Sequence, residues 1–175
     1  MSDPSASPIL SSLPAGAILG RLLPGELALV LANARLLERR TSPLERQSLL
    51  RGKNLALVCD SEKDADAILF RAAAAALGAS VSHIRPDLAP PGGAAGTALL
   101  RTARLLGRLY DGIECQGLAA AWVHQLGHDA GVPVFDGLAS AAHPTAQLVE
   151  ELAGTESPER KRQLIVQAAL LLELS

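Results

Sequence analysis

Apolar and polar residues follow two different patterns that alternate along this chain. The run Leu55–Val58 contains no polar position, which is typical of a strand covered on both faces of a sheet. Upstream of it, Leu27, Val30 and Ala34 recur at the spacing of three and four that indicates a helix. Short buried strands that alternate with helices favour right-handed β-α-β units, so the pattern predicts an α/β fold with a parallel sheet.

The same patterns, with the turn residues between them, set the predicted bounds of each element. Strands are predicted at 54–60, 81–84, 112–115 and 132–135. Helices are predicted at 24–40, 64–77, 97–110, 117–131, 143–152 and 158–174. The first helix is expected to end at residues 41–43, and Gly78 is expected to close the second.

The last predicted helix is apolar around most of its circumference. After a charged start its apolar residues are Leu164, Ile165, Val166, Ala168, Ala169, Leu170, Leu171, Leu172 and Leu174. A helix that is hydrophobic on all sides has to be buried. We therefore expect it to pack on the body of the protein or on another subunit.

Composition narrows the class of protein. The 175 residues are 49% hydrophobic and 19% charged, which favours a single globular domain. We divide the chain into a flexible leader at 1–15, a domain at 16–153 and a terminal helix at 154–175. The net charge is −2 and aromatic residues are 2%, which argues against a nucleic-acid partner.

Localisation is predicted from the amino terminus, the apolar runs and the cysteines. Residues 1–8 lack the basic start of a secretory signal, and no apolar run reaches the roughly 20 residues of a membrane span. Cys59 and Cys115 lie in apolar, strand-like runs and are interpreted as buried free thiols. We expect a cytoplasmic protein without a membrane partner.

Three segments together resemble a known family. They are Leu50–Asp60, Leu105–Glu114 and the run Gly131–Pro144, which holds a Val-Phe-Asp-Gly segment and a His-Pro pair. Over residues 22–153 the chain resembles the amino-terminal, carbamoyl-phosphate-binding domain of the aspartate/ornithine carbamoyltransferases. The resemblance implies a four-stranded parallel sheet in the order 2-1-3-4, helices on both faces and a last helix that packs back on the domain. It also implies a homotrimer. The resemblance does not extend to the family's second, amino-acid-binding domain.

The chain departs from the family at the positions that hold carbamoyl phosphate. The family's Ser-Thr-Arg-Thr-Arg loop aligns with residues 63–67, where Asp64 and Asp66 are present and both arginines are alanine. The arginine after the third strand is Gln116, and the charged loop after the second strand is the uncharged segment 90–97. In the His-Pro-x-Gln motif His143 is kept, but the glutamine position is Ala146.

These departures leave three functions open. The first is a non-catalytic, carbamoyltransferase-like protein that acts through self-assembly or with a full-length carbamoyltransferase. The second is a small-molecule binder at the old pocket, with Asp60, Asp64, Asp66, Gln116 and His143 as candidate ligand-binding residues and His143 as a catalytic remnant. The carboxylates of this group would bind a cation or an amine. Alternatively, they would have no ligand and would only cap a helix, with Ser61 and Asp64 as the capping pair. The third is an active component completed by another chain.

No metal or cofactor is predicted. His124 and His128 lie four residues apart on one helix face, but no Glu stands between them as in a zinc-binding His-Glu-x-x-His motif. The chain contains neither a Gly-x-Gly-x-x-Gly nor a Walker loop, and no Gly-x-Ser-x-Gly.

Overall fold

A computed structural model describes residues 24–40, 42–86 and 94–175. The predicted leader at 1–15 and most of the loop after the second strand lie outside these residues. The fold below is that of the described part of the chain.

Four parallel strands form the sheet. They are β1 (Asn54–Val58), β2 (Ser80–Ile84), β3 (Gly112–Cys115) and β4 (Val134–Asp136). Their order is β2-β1-β3-β4, and every neighbouring pair is parallel. The predicted order 2-1-3-4 is confirmed. All four carboxyl ends therefore lie at one edge of the sheet, where ligands bind in open parallel sheets.

Seven α-helices accompany these strands in the described residues. They are α1 (Pro24–Arg40), α2 (Pro43–Arg46), α3 (Ala65–Ala76), α4 (Ala94–Leu109), α5 (Ala120–Asp129), α6 (Leu148–Glu151) and α7 (Pro158–Leu174). The bounds of α3, α4 and α5 differ from the predicted ones by at most three residues, and two regions differ by more. The short α2 was not predicted, although Ser42 and Glu45 form a reciprocal capping box around it. The segment 143–152 is not one helix, because a 3-10 turn at Pro144–Gln147 precedes α6.

The sheet separates two apolar cores, which explains the unbroken apolar runs of its strands. Leu55 and Leu57 of β1 face the core that holds α1, α3 and α7. Ala56 and Val58 face the core that holds α4 and α5. Successive side chains of a strand point to opposite faces, so both faces of β1 require apolar residues. The predicted helices on both faces are confirmed.

The last helix lies inside the first of these cores. It packs against α1 and α3, and Leu164, Ile165, Leu171 and Leu172 are at most 4% exposed. The predicted packing of this helix back on the domain is confirmed. Its apolar circumference is covered within one chain, so of the two expected packing partners, the body of the protein and another subunit, the structure shows the body. None of the described helices is long and apolar enough to cross a membrane.

Candidate functional site

A cleft of about 430 Å³ opens beside the carboxyl ends of β3 and β4. We call it the polar cleft, and its polar lining residues are Asp66, Gln116, Asp136, Ser140 and His143. Asp66 lies in the first turn of α3, Asp136 ends β4, and Gln116 directly follows β3. The parallel sheet brings these residues together because all of its strands end at this edge.

Three of the five predicted ligand-binding residues meet in the polar cleft, and two do not. Asp66, Gln116 and His143 line it, whereas Asp60 and Asp64 are exposed and lie outside its lining. Asp64 is the residue before α3, but its side chain makes no capping bond to the helix, and the Ser61 hydroxyl accepts instead from the Lys63 N–H at 3.2 Å. The predicted cap by Ser61 and Asp64 is therefore wrong.

The positions where the family carries binding side chains are occupied differently. Ala67 is fully buried in the core with α7, so an arginine has no room there in this chain. Ala65 and Ala146 line a neighbouring cleft and not the polar one. Gln147, the last residue of the 3-10 turn, is exposed and also lies outside the polar cleft.

That neighbouring cleft, which we call the apolar cleft, has a volume of about 970 Å³. Its lining combines apolar residues of α3 and α6, such as Ile68, Leu69 and Val149, with the amino-terminal turn of α7. Asp66 belongs to both linings. The two clefts therefore adjoin at this carboxylate.

Glu114 lies beneath the polar cleft and is fully buried. It is on β3 between Ile113 and Cys115, and its carboxylate accepts from the Gln116 amide at 3.0 Å and from the Leu138 N–H at 3.3 Å. Burial raises the pKa of Glu114 to about 8, although these hydrogen bonds oppose the rise. At neutral pH the group is mainly protonated, so it adds little negative charge to the cleft.

This raised pKa gives the free energy of unfolding a defined pH dependence. The folded pKa exceeds the ordinary carboxyl value, so the stability that depends on protonated Glu114 is fully present below about pH 4.5 and is lost as the pH rises to about 8. The Glu114→Gln variant cannot ionise and should lack that loss, which has a limiting slope of about 1.4 kcal/mol per pH unit. Urea unfolding at pH 5.5, 7 and 8 measures it.

Glu62→Gln is the control for this prediction. Glu62 is about half exposed and pairs with Arg71 at 3.0 Å, so this variant should keep the wild-type fall. Burial also raises the pKa of Glu173, to about 7, so part of the fall below pH 7 remains in both variants. The difference is therefore clearest between pH 7 and 8, and equal slopes there in all three proteins would contradict the role given to Glu114.

Arg162 of α7 holds the loop that follows β4. Its guanidinium is largely buried and donates to the Leu138 carbonyl at 2.6 Å, to the Ser140 carbonyl at 3.0 Å and to the Thr145 hydroxyl at 2.9 Å. Since the Leu138 N–H also bonds to Glu114, the same residue is fixed from both sides. The terminal helix thus shapes one wall of the polar cleft, while Arg162 itself lines the neighbouring apolar cleft.

Thr145 extends this network to His143. The Thr145 hydroxyl accepts from Arg162, so its own hydrogen is available to the His143 Nδ1 atom at 2.8 Å. The Thr145 N–H also donates to that Nδ1, at 3.3 Å. With Nδ1 accepting, the neutral ring carries its proton on Nε2. These hydrogen bonds set the tautomer of His143, and burial that leaves it 5% exposed holds the ring in position.

The two cysteines and His128 lie outside the linings of both clefts. Cys59 and Cys115 are buried and unpaired with each other, and burial is the main cause that raises the pKa of both thiols. The side chain of His128 is 76% exposed and contacts Asp129. In the described ranges, no group of three or more His, Cys, Asp or Glu is placed to hold a metal.

Comparison with known proteins identifies the family of this chain. Residues 19–156 match the family described as aspartate/ornithine carbamoyltransferase, carbamoyl-P binding domain. The chain belongs to this family. The predicted resemblance, restricted to the amino-terminal domain, is confirmed.

Curated relatives are ornithine carbamoyltransferases of about twice this length. That of Cutibacterium acnes is 40% identical over 114 residues, which are 65% of this chain and 34% of the relative. That of Haemophilus influenzae strain PittGG is 37% identical over 131 residues, 75% of this chain and 39% of the relative. The matched part of the chain thus spans about a third to two fifths of the length of these relatives.

Solved structures agree with the fold. Ornithine carbamoyltransferase from Pyrococcus furiosus superposes with a TM-score of 0.63 at 27% identity, covering 79% of this chain and 44% of that one. The catalytic subunit of M. jannaschii aspartate transcarbamoylase gives a TM-score of 0.56 at 26% identity, covering 74% and 42%. The α/β architecture is that of the carbamoyltransferases.

Proposed function

We propose that this chain is a carbamoyltransferase-family protein that does not transfer carbamoyl groups and acts through association with itself or with a full-length carbamoyltransferase. The composition of the polar cleft carries this proposal. Within the described residues, its lining contains the carboxylates Asp66 and Asp136 and no arginine or lysine. A cleft of this charge is matched to a neutral or cationic occupant.

Electrostatics support the absence of carbamoyl-phosphate chemistry. Truncation of one partner of a buried charge contact costs about 2–5 kcal/mol. Three arginine positions of the family are Ala65, Ala67 and Gln116 here, and Asp66 adds like charge. Arg162 does not substitute, because it lies outside the polar cleft and holds the loop after β4 through the Leu138 and Ser140 carbonyls and the Thr145 hydroxyl. The same reasoning disfavours an active component completed by a second chain.

Association is supported by large apolar side chains left on the outside of the first two helices. Leu29 and Leu36 of α1 are 40% and 37% exposed, and they are seven residues apart and so share a helix face. Leu44 of α2 and Leu49 are 79% and 42% exposed. Uncovered apolar surface of this kind marks protein interfaces when it is contiguous.

A trimer is the assembly implied by the family resemblance. Sedimentation velocity at tens of micromolar should give about three times the 18.1 kDa chain mass. The double variant Leu36→Glu, Leu44→Glu should lower that mass, whereas Leu105→Glu, at an exposed position of α4, should not. A wild-type monomer under these conditions would rule out the trimer, and the association proposal would then rest on a full-length partner.

The second candidate function is that of a small-molecule binder. The polar cleft supports it, since a concave site with a few convergent polar groups lies at the usual ligand-binding edge of the sheet. We also propose a cytosolic location, which two buried free thiols support.

A further inference from the structure

The two carboxylates of the polar cleft come from different elements. Asp66 is supplied by α3 and Asp136 by the end of β4, and both line the same cavity. Arg162 of α7 lies outside the polar cleft but lines the adjoining apolar cleft, and three of its N–H groups donate to the Thr145 hydroxyl and to the Leu138 and Ser140 carbonyls. Glu114 below them is mainly protonated at neutral pH. Across both linings the charged residues are four carboxylates and two guanidinium groups, namely Asp66, Asp136, Glu150, Glu159, Arg160 and Arg162, so an occupant meets an excess of negative charge.

Neutral groups of the same lining add acceptors. The Gln116 amide nitrogen donates one of its two hydrogens to the Glu114 carboxylate at 3.0 Å, and the amide oxygen is an acceptor for an occupant. The Ser140 hydroxyl oxygen already accepts from the Ala142 N–H at 3.2 Å and keeps a second lone pair. Oxygen acceptors around a pair of carboxylates fit a group with several N–H donors.

The apolar cleft begins at the same carboxylate. Asp66 lines both cavities, and beyond it lie the partly exposed apolar side chains of Ile68, Leu69 and Val149. An occupant with its polar group at Asp66 would lay any apolar extension along these residues. Burial of each methylene there would strengthen binding about threefold to fourfold.

We propose that the two clefts together bind an organic cation, with a primary ammonium or guanidinium group between Asp66 and Asp136 and an apolar chain along Ile68 and Val149. This inference rests on the second function proposed above, that of a small-molecule binder, and names its ligand class. A metal ion fits less well, since the described residues contain no cluster of three or more His, Cys, Asp or Glu ligands.

Calorimetry with simple amines tests the ligand class. Hexylamine should bind the full chain saturably at low millimolar concentration or below. Ethylamine should bind more weakly, with butylamine between them, by the factor per methylene given above. Hexanol and hexanoate should not bind measurably. Equal binding of hexanol and hexylamine would overturn the charge recognition, and no binding of any amine would overturn the proposal.

Three matched substitutions test the position. Asp66→Asn and Asp136→Asn should each weaken hexylamine binding about tenfold or more, which corresponds to about 1.4 kcal/mol. Asp60→Asn removes an exposed carboxylate outside both linings and should leave the affinity unchanged. Circular dichroism melting of each variant confirms the fold. An equal loss in all three would indicate general attraction to an acidic surface and would contradict this site.

Carbamoyl phosphate titrated into the same sample separates this inference from the proposed loss of transfer activity. Amine binding without carbamoyl-phosphate binding is the expected result. Carbamoyl-phosphate binding would contradict the absence of transfer chemistry, whatever the amines do. Failure of the amines alone would contradict only the ligand class.

Discussion

Deletion of residues 158–175 is expected to abolish the folded, soluble protein. Eleven residues of the terminal helix are buried, among them six leucines and isoleucines that are at most 5% exposed. Full burial of each such side chain contributes about 1.5–3 kcal/mol, and their sum is as large as the roughly 5–15 kcal/mol by which a domain is stable. The truncated chain would also expose the core of α1 and α3 to other molecules. Expression followed by size-exclusion chromatography and circular dichroism measures the outcome.

A graded form of this prediction keeps the chain intact. Leu170→Ala, at a fully buried position, should lower the free energy of unfolding by about 2–5 kcal/mol. Leu105→Ala makes the same chemical change at a side chain that is 56% exposed and should cost less than about 0.5 kcal/mol. A soluble, cooperatively folding truncation, or similar costs for the two leucines, would show that the helix is not part of the core.

Supplying carbamoyl phosphate with either ornithine or aspartate is expected to yield neither citrulline nor carbamoyl aspartate above the uncatalysed rate. The carboxylates of Asp66 and Asp136 in the polar cleft repel the carbamoyl-phosphate dianion, and Gln116 is at the position where the family has an arginine. A colorimetric ureido assay measures the product, with a full-length ornithine carbamoyltransferase as the positive control. Turnover that His143→Ala abolishes would contradict the proposed function.

The fold was accessible from the sequence because its elements are regular. The unbroken apolar run of β1 predicted a strand covered on both faces, and the two cores that α3 and α4 help to form confirm this. Strand order came from the family resemblance and not from the pattern. The elements that differ are short. The four-residue α2 and the 3-10 turn after His143 are held by local hydrogen bonds that leave no hydrophobic period.

Part of the predicted site comes together in one cavity for a geometric reason. Asp66, Gln116 and His143 follow or begin elements at the carboxyl edge of the sheet, so the topology brings them to one cavity. Asp60 and Asp64 are close to Asp66 in sequence, but the turn into α3 leaves both exposed outside the cavity. Proximity along a loop does not determine which side chains face a cleft.

The residues that organise the site were missed, although each left a signal. Glu114 is a charged residue inside a strand predicted to be covered on both faces, which requires buried partners. Arg162 shares a helical face with Ile165 and Ala169, both buried, so a charge on that face also required partners. Those partners are backbone carbonyls and a hydroxyl distant in sequence, and only the folded chain identifies them.

Calorimetric titration with carbamoyl phosphate at millimolar concentration tests the central claim most directly. The ligand carries the charge that this cleft is least suited to hold, and the measurement requires neither a second substrate nor a partner. The expected result is no heat of binding at neutral pH, with ornithine carbamoyltransferase giving a saturable signal under the same conditions. Saturable binding to this chain that His143→Ala weakens would contradict the account.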